Sequence, residues 1–226
     1  MARILAVSDE VDDRLLGTDL KGGDVDLVIA CGDLPFDYLE TLVTLANVPL
    51  VYVPGNHDPE LRRRSSNISP EDIVKPFSFR PDDYDRPGPR GCVNLDGRVR
   101  DVAGLRVAGL GGSMRYTEGP NQYTQKQMQR RAARLEMRVR LEALVPRRAA
   151  PPRDIEVLIT HAAPLGVGDD DDSCHEGFAA FHGLVARLSP RVLIHGHVHP
   201  YGRRVEDHSI VGTRVVNAVG HRLIEV

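Results

Sequence analysis

Short apolar runs punctuate the chain at residues 4–7, 27–31, 49–53, 105–110, 155–159 and 192–194, each closed by polar or small residues. Runs of this length bounded by turn residues predict buried strands. A polar, glycine-rich stretch over 12–26 separates the first two. Between the second and third, Pro35 suits the first turn of a helix ending near Ala46, with Phe36, Leu39, Leu42, Val43 and Ala46 at helical spacing. Strand–helix–strand alternation predicts parallel pairing with right-handed crossovers. Residues 93–99, with Asp96-Gly97 at their centre, predict a hairpin. The longest helical pattern covers 122–144, with Pro146 as its stop. Its residues Met128, Ala132, Leu135, Val139 and Glu142 form one packed stripe, which leaves the arginines on a solvated face. A further helix is predicted near 176–188, and short strands close the chain up to Val226. Residues 59–90 hold no sustained period and predict an irregular insertion. There is no internal repeat, and the pattern predicts an α/β protein of two sheets packed face to face with helices outside.

Length and charge narrow the picture little. The 226 residues suffice for one domain, expected to span 1–226. The formal charge of −3 gives no reason to expect a nucleic-acid or membrane partner. No apolar run approaches the roughly 18 residues that a spanning helix needs. The first residues enter a strand at once, without the layout of a signal peptide. Cys31, Cys92 and Cys174 are odd in number and far apart, which fits a reducing compartment, and Cys31 is expected in the core. A cytoplasmic protein is the expectation.

The chemistry lies where the strands end. Ser8-Asp9-Glu10, Gly32-Asp33, Gly55-Asn56-His57-Asp58, Thr160-His161 and Gly196-His197-Val198-His199 each follow an apolar run. Ligands bind outside the carboxyl ends of strands in such sheets, so the five pieces are expected to converge. Aspartate, asparagine and histidine together suit a pair of divalent metals, a device for hydrolysing phosphate esters.

These motifs, in this order from Asp9 to His199, resemble the calcineurin-like metallophosphoesterases. The resemblance implies a four-layer αββα sandwich with two mixed β-sheets and a two-metal site. It implies that Asp33 bridges the metals, that Asn56, His161 and His197 complete one site, and that Asp9 and His199 belong to the other. His57 is then the general acid or a clamp on the phosphoryl oxygens, and Asp58 orients His57. Two ions about 3.5–4 Å apart are expected to hold a bridging hydroxide for in-line attack on phosphorus. One position departs from the family: its first motif is Asp-x-His, and Val11 stands where that histidine would be. Glu10 and Asp12 flank the gap as candidate replacement ligands. A carboxylate in place of an imidazole favours Mn²⁺ or Mg²⁺ over Fe or Zn²⁺. A weak or empty first site is the alternative.

Other residues carry two readings each. His175 either reaches the substrate pocket or caps a helix. Asp169, Asp170, Asp171 and Asp172 are expected to be solvated, and His195 to be structural; His182, His208 and His221 carry no expected role. Gly111-Gly112, with Arg115 beyond, either cradles a phosphate with its amides or is a plain turn. Arg62, Arg63 and Arg64 either greet an anionic substrate or form a basic loop.

The expected function is metal-dependent hydrolysis of a phosphodiester or small phosphomonoester, with two divalent ions, Mn²⁺ foremost. The expected partner is a small phosphorylated, nucleotide-like substrate, with no membrane and no nucleic acid. Two alternatives stand beside it: a nuclease of the same fold, and a scaffold that keeps the fold with a weak single metal and no catalysis, as one retromer subunit does.

Overall fold

The computed structural model describes residues 1–17, 24–59, 88–144, 154–202 and 206–226. The larger part of the expected 59–90 insertion, with Arg62–Arg64, and the Pro146 stop lie outside the described residues.

The chain runs β1 (Arg3–Ser8), β2 (Leu27–Ala30), α1 (Phe36–Ala46), β3 (Leu50–Tyr52), β4 (Cys92–Asn94), β5 (Arg98–Val102), β6 (Leu105–Leu110), β7 (Ser113–Met114), β8 (Gln122–Tyr123), α2 (Gln125–Leu144), β9 (Val157–Thr160), α3 (Ala180–Leu188), β10 (Val192–His195), β11 (His208–Ile210), β12 (Thr213–Asn217) and β13 (Gly220–Glu225). One sheet has the order β13-β1-β2-β3-β4 and the other β11-β12-β10-β9-β6-β5. The first is parallel except for β13, and β5 and β11 run antiparallel at the edges of the second.

The period of two along each strand assigns the layers. On β1, Ile4 and Ala6 face the other sheet, meeting Ile29, Val51, Val157, Ile159 and Ile194 in the central core. Leu5 and Val7 point the opposite way, onto Leu39, Leu42 and Ala46 of α1. On the far side Leu158 and Leu193 pack against Met128, Ala132 and Leu135 of α2 and Phe181 and Leu184 of α3. Three apolar layers thus separate four layers of structure, giving the expected αββα sandwich. Each fully buried leucine or isoleucine contributes about 1.5–3 kcal/mol.

Helix α1 ends at Asn47, whose left-handed backbone (φ 51°) stops it after Ala46. The α2 stripe is as expected through Leu135, and Glu142 at its end meets the buried Arg106 guanidinium at 3.3 Å. Gln122 and Tyr123 form a short strand before α2, so the helix starts at Gln125. Likewise α3 starts at Ala180, later than the pattern suggested.

The expected hairpin over 93–99 is not formed. Asp96-Gly97 does turn the chain, but β4 pairs with β3 in one sheet and β5 with β6 in the other. The turn is therefore a crossing between sheets, held by Asp96 accepting from the Gly111 amide at 2.7 Å and from the Arg131 guanidinium. The true hairpin is β5–β6, turned by Ala103-Gly104 with φ of 48° and 77°. Among the described residues no helix is long and apolar enough to cross a membrane.

Candidate metal centre

The ends of β1, β2, β9 and β10 place four donors together. One side-chain atom from each of Asp9, Asp33, His161 and His197 lies within 4.8 Å of the others. Three of these residues occupy the left-handed region, with φ of 59° at Asp9, 56° at Asp33 and 69° at His197. Such conformations cost an aspartate or histidine about 1 kcal/mol or more and collect at functional sites. They are maintained by close backbone packing. A Cβ at Gly196 would collide with the Ser8 hydroxyl and the Asp9 carboxylate, and one at Gly55 with the Asp33 carboxylate.

His161 is wholly buried, with Nδ1 at 2.8 Å from the Cys31 carbonyl and Nε2 at 2.9 Å from Asn56 Oδ1. Nδ1–H donating to a carbonyl leaves Nε2 as a lone pair, the arrangement by which histidine is prepared for a metal. Nε2 also lies 3.3 Å from Asp33 Oδ2, a buried oxygen that has no hydrogen-bond donor. A nitrogen lone pair, an amide oxygen and an orphaned carboxylate oxygen all face one another, and only a cation or a proton relieves that. Burial by itself would lower the pKa of His161; the carboxylates of Asp33 and Asp9 outweigh it and push it up to about 9. The donor set therefore fits a divalent ion.

Asp33 Oδ1 accepts from the His57 amide at 2.8 Å. Burial raises the pKa of Asp33, but the pull of a protonated His161 exceeds it and holds the carboxyl below its ordinary value. Burial dominates at Asp9 and raises its pKa, although its Oδ2 accepts from the Ser8 hydroxyl at 2.5 Å and the His197 amide at 2.8 Å. His197 Nε2 bonds the Cys174 carbonyl at 2.7 Å, which leaves Nδ1 as its free ring nitrogen. Burial, then the charge of His161, pushes His197 down to about 3, so it stays a neutral donor.

His199 stands outside this group of four. Its Nδ1 meets Glu10 Oε1 at 2.9 Å, and both side chains are partly open to solvent. The candidate replacement ligand Asp12 has other partners in this arrangement. Its carboxylate caps the turn at 13–15, takes Arg14 through Nε and Nη2 at 2.9 and 2.7 Å, and binds His221 Nδ1 at 2.6 Å. Val11 is 45 % exposed.

Asp58 does not hold the His57 ring. Its Oδ2 accepts from the amides of Gly55 at 2.8 Å and Asp33 at 3.0 Å, tying the two metal-site turns together. His57 is exposed and borders an open cleft of about 450 Å³ with Asp33, Leu34, Pro35, Phe36 and Pro59. The phosphate reading of Gly111-Gly112 is overturned, because those amides donate to Asp96 and to the Pro54 carbonyl at 2.7 and 2.8 Å. Arg115 donates to the Gln122 carbonyl and Gln127 at 3.3 Å. His195 is buried with Nδ1 bonded to the Gly196 carbonyl, a structural role. Asp169 and Asp172 fold their own loop by accepting backbone amides.

Two participants escaped the sequence. Tyr116 hydroxyl accepts from Asn56 Nδ2 at 3.0 Å and so turns Asn56 Oδ1 toward His161. The Cys174 carbonyl fixes the ring of His197. Nothing in the sequence marks either contact, since a tyrosine sixty residues from Asn56 and a backbone oxygen carry no motif.

Two face-to-face sheets bearing aspartate, asparagine and histidine donors at their strand ends define an αββα protein with a candidate metal centre. Residues 3–201 match the Calcineurin-like phosphoesterase family, and the chain belongs to it. Among solved structures it is similar to TT1561 of Thermus thermophilus, at 16% identity and a TM-score of 0.59, covering 97% of this chain and 89% of that one. A second crystal structure matches at 17% identity and the same TM-score of 0.59, covering 99% of this chain and 98% of the other. At these identities the likeness concerns the fold. The chain has no match among curated protein sequences.

Proposed function

We propose that this protein is a metal-dependent phosphoesterase that hydrolyses a phosphodiester or small phosphomonoester. The observation that carries the reading is the buried, donorless Asp33 Oδ2 facing His161 Nε2 and Asn56 Oδ1, with Asp9 and His197 alongside. Asp33, Asn56, His161 and His197 would hold one ion, and Asp9, Asp33 and His199 a second, with Mn²⁺ the best match to an oxygen-rich second set. Bound there, divalent ions neutralise phosphate oxygens and activate water for in-line attack on phosphorus.

The chain's own residues supply the rest. His57 projects from the turn that Asp33 and Asp58 brace, at the edge of the Phe36 cleft, where its ring meets a leaving-group oxygen. The apolar walls of Leu34, Pro35 and Phe36 suit the flat group of a nucleotide-like ester. Glu10 acts through His199: a carboxylate on Nδ1 leaves Nε2 as the coordinating nitrogen and raises its basicity.

A second reading, a scaffold with one weakly held metal, is favoured by Val11 and by the place of His199 outside the four-donor group. Metal content and Mn²⁺-dependent hydrolysis of bis(p-nitrophenyl) phosphate and p-nitrophenyl phosphate by metal-stripped protein separate the two. Two metals with turnover support the enzyme; one metal and no turnover on either ester support the scaffold. In the enzyme, His57→Ala abolishes turnover while metal content stays at the wild-type level. Loss of metal in that variant would make His57 a ligand instead.

A further inference from the structure

Helix α1 carries an aromatic side chain that its core does not use. Phe36 keeps the spacing of Leu39, Leu42, Val43 and Ala46, and those four pack against the first sheet. Phe36 itself joins none of the three apolar layers among the described residues and stays half-buried. It lines instead the cleft of about 450 Å³ that Asp33 and His57 also border. A phenylalanine left partly in water forgoes part of its burial energy, and a ligand laid against it recovers that energy.

The turn that carries it is braced. The Asp33 amide donates to Asp58 Oδ2 at 3.0 Å, and Asp33 Oδ1 accepts from the His57 amide at 2.8 Å. The ring of Pro35 fixes its φ, here −54°, and its carbonyl accepts from the amides of Tyr38 and Leu39 at 3.1 and 3.2 Å. Phe36 thus stands three residues from Asp33 on a turn held at both ends, so little backbone order has to be gained on binding.

Charge and position indicate what the cleft takes. Among the described residues its lining holds Asp33, Asp37 and Asp58 and no lysine or arginine, so it suits an uncharged ring and disfavours a second phosphate. His57 stands at its border, and in the phosphoesterase reading that imidazole meets the leaving-group oxygen. The arm seated in the cleft is therefore the arm that leaves.

We propose that Phe36 selects the leaving arm of the substrate: an uncharged aromatic or nucleoside-like arm lies against its ring and is the one released. The water oxygen bonds to phosphorus, the bond from phosphorus to the oxygen of the seated arm breaks, and that oxygen takes a proton from the water. The seated arm departs as its alcohol, and the rest stays with the phosphate. The inference rests on the phosphoesterase reading and adds the specificity-determining residue and the side of the phosphorus on which it acts.

The test uses metal-loaded protein. Phenylphosphonate and methylphosphonate, compared by calorimetry, differ in the ring alone. Wild type should bind the first about tenfold tighter, and Phe36→Ala should bind both alike. Phe36→Leu, which keeps an apolar wall without a flat face, should keep part of the lead. Turnover places the ring on the leaving side. Benzyl alcohol and methanol have similar leaving ability, so benzyl methyl phosphate, or benzyl phosphate against methyl phosphate, reads the choice of arm. Wild type should release benzyl alcohol about tenfold faster than methanol, and Phe36→Ala should lose that bias. No lead for phenylphosphonate in wild type, or a lead that survives in Phe36→Ala, overturns the proposal while the phosphoesterase reading stands. Release of the two alcohols at equal rates, or of neither, overturns it too, since nucleoside-like arms also leave as alkyl alcohols. Loss of metal in both Phe36 variants overturns it by making the side chain structural. Wild-type protein that takes up metal but binds neither phosphonate and turns over neither p-nitrophenyl ester overturns both readings.

Discussion

Asn56 Oδ1 lies 2.9 Å from His161 Nε2, while the amide nitrogen of Asn56 is held by the Tyr116 hydroxyl at 3.0 Å. The tyrosine decides which end of the amide faces the imidazole. An oxygen turned toward a ring nitrogen that is already committed as an acceptor by its Cys31 bond is arranged for a cation. Asn56→Ala should therefore lower metal affinity by more than tenfold, and Tyr116→Phe by less, on the order of tenfold or below. Titration of stripped protein with Mn²⁺ reads both. Equal affinity in Asn56→Ala would remove Asn56 from the ligand set.

Asp58 offers a separate test, because its carboxylate bonds are to backbone amides and not to the His57 ring. Asp58→Ala leaves two amides without their acceptor, at a cost of about 2–4 kcal/mol. Asp58→Asn keeps one accepting oxygen and should cost less. Urea unfolding of the metal-free proteins measures this. A normal midpoint with turnover lost would instead restore the role of orienting His57.

The strands bearing candidate metal ligands were legible in the sequence because each is a buried apolar run that stops abruptly at a polar turn. Burial on both faces leaves little freedom in residue choice, as at Ile4, Leu5, Ala6 and Val7, all wholly or nearly buried. Turns were legible as turns, but not as to what they join. Asp96-Gly97 has the chemistry of a hairpin, yet it carries the chain from one sheet to the other, because which edge β5 joins is decided by β6 and by the bonds of Asp96 to Gly111 and Arg131. The same limit hid the second contacts of the ligands. Motif spacing placed Asp9, Asp33, Asn56, His161 and His197 near one another, whereas the engagement of Asp12 by Arg14 and His221 depends on a residue more than two hundred positions away.

Asp207 links the sheets at their open edge. It binds Arg214 on β12 at 2.6 Å and Arg222 on β13 at 2.9 Å, and these strands belong to different sheets. Burial would raise its pKa, but the two guanidinium bonds outweigh it and hold the carboxyl below the ordinary value of 3.8. A depressed carboxyl contributes stability that is present above its unfolded pKa and is lost as pH falls through its folded one. Asp207→Asn should thus cost up to about 1 kcal/mol at pH 7, and the gap in Tm from wild type should close as the pH is lowered below 3.8. A gap that stays constant down to the acid transition would assign the loss to packing rather than charge.

Val11 stands where the resemblance to the family leads us to expect the histidine of an Asp-x-His motif, and the geometry around it is open enough to place one there. The side chain is 45 % exposed, on the turn between Asp9 and the cap at Asp12, beside the Glu10–His199 pair. An imidazole there displaces no core residue, so Val11→His should fold as well as wild type. If the second ion is held only by Asp9, Asp33 and His199, one added nitrogen donor should raise its affinity by at least about tenfold and move preference toward Zn²⁺. Competition titrations of Mn²⁺ against Zn²⁺ on both proteins measure the shift. Glu10→Gln completes the argument, since an amide oxygen still accepts from His199 Nδ1 but no longer carries charge. A small loss there, together with a gain in Val11→His, supports Glu10 as the group that positions His199. A loss as large as the gain from Val11→His would instead make Glu10 a ligand in its own right.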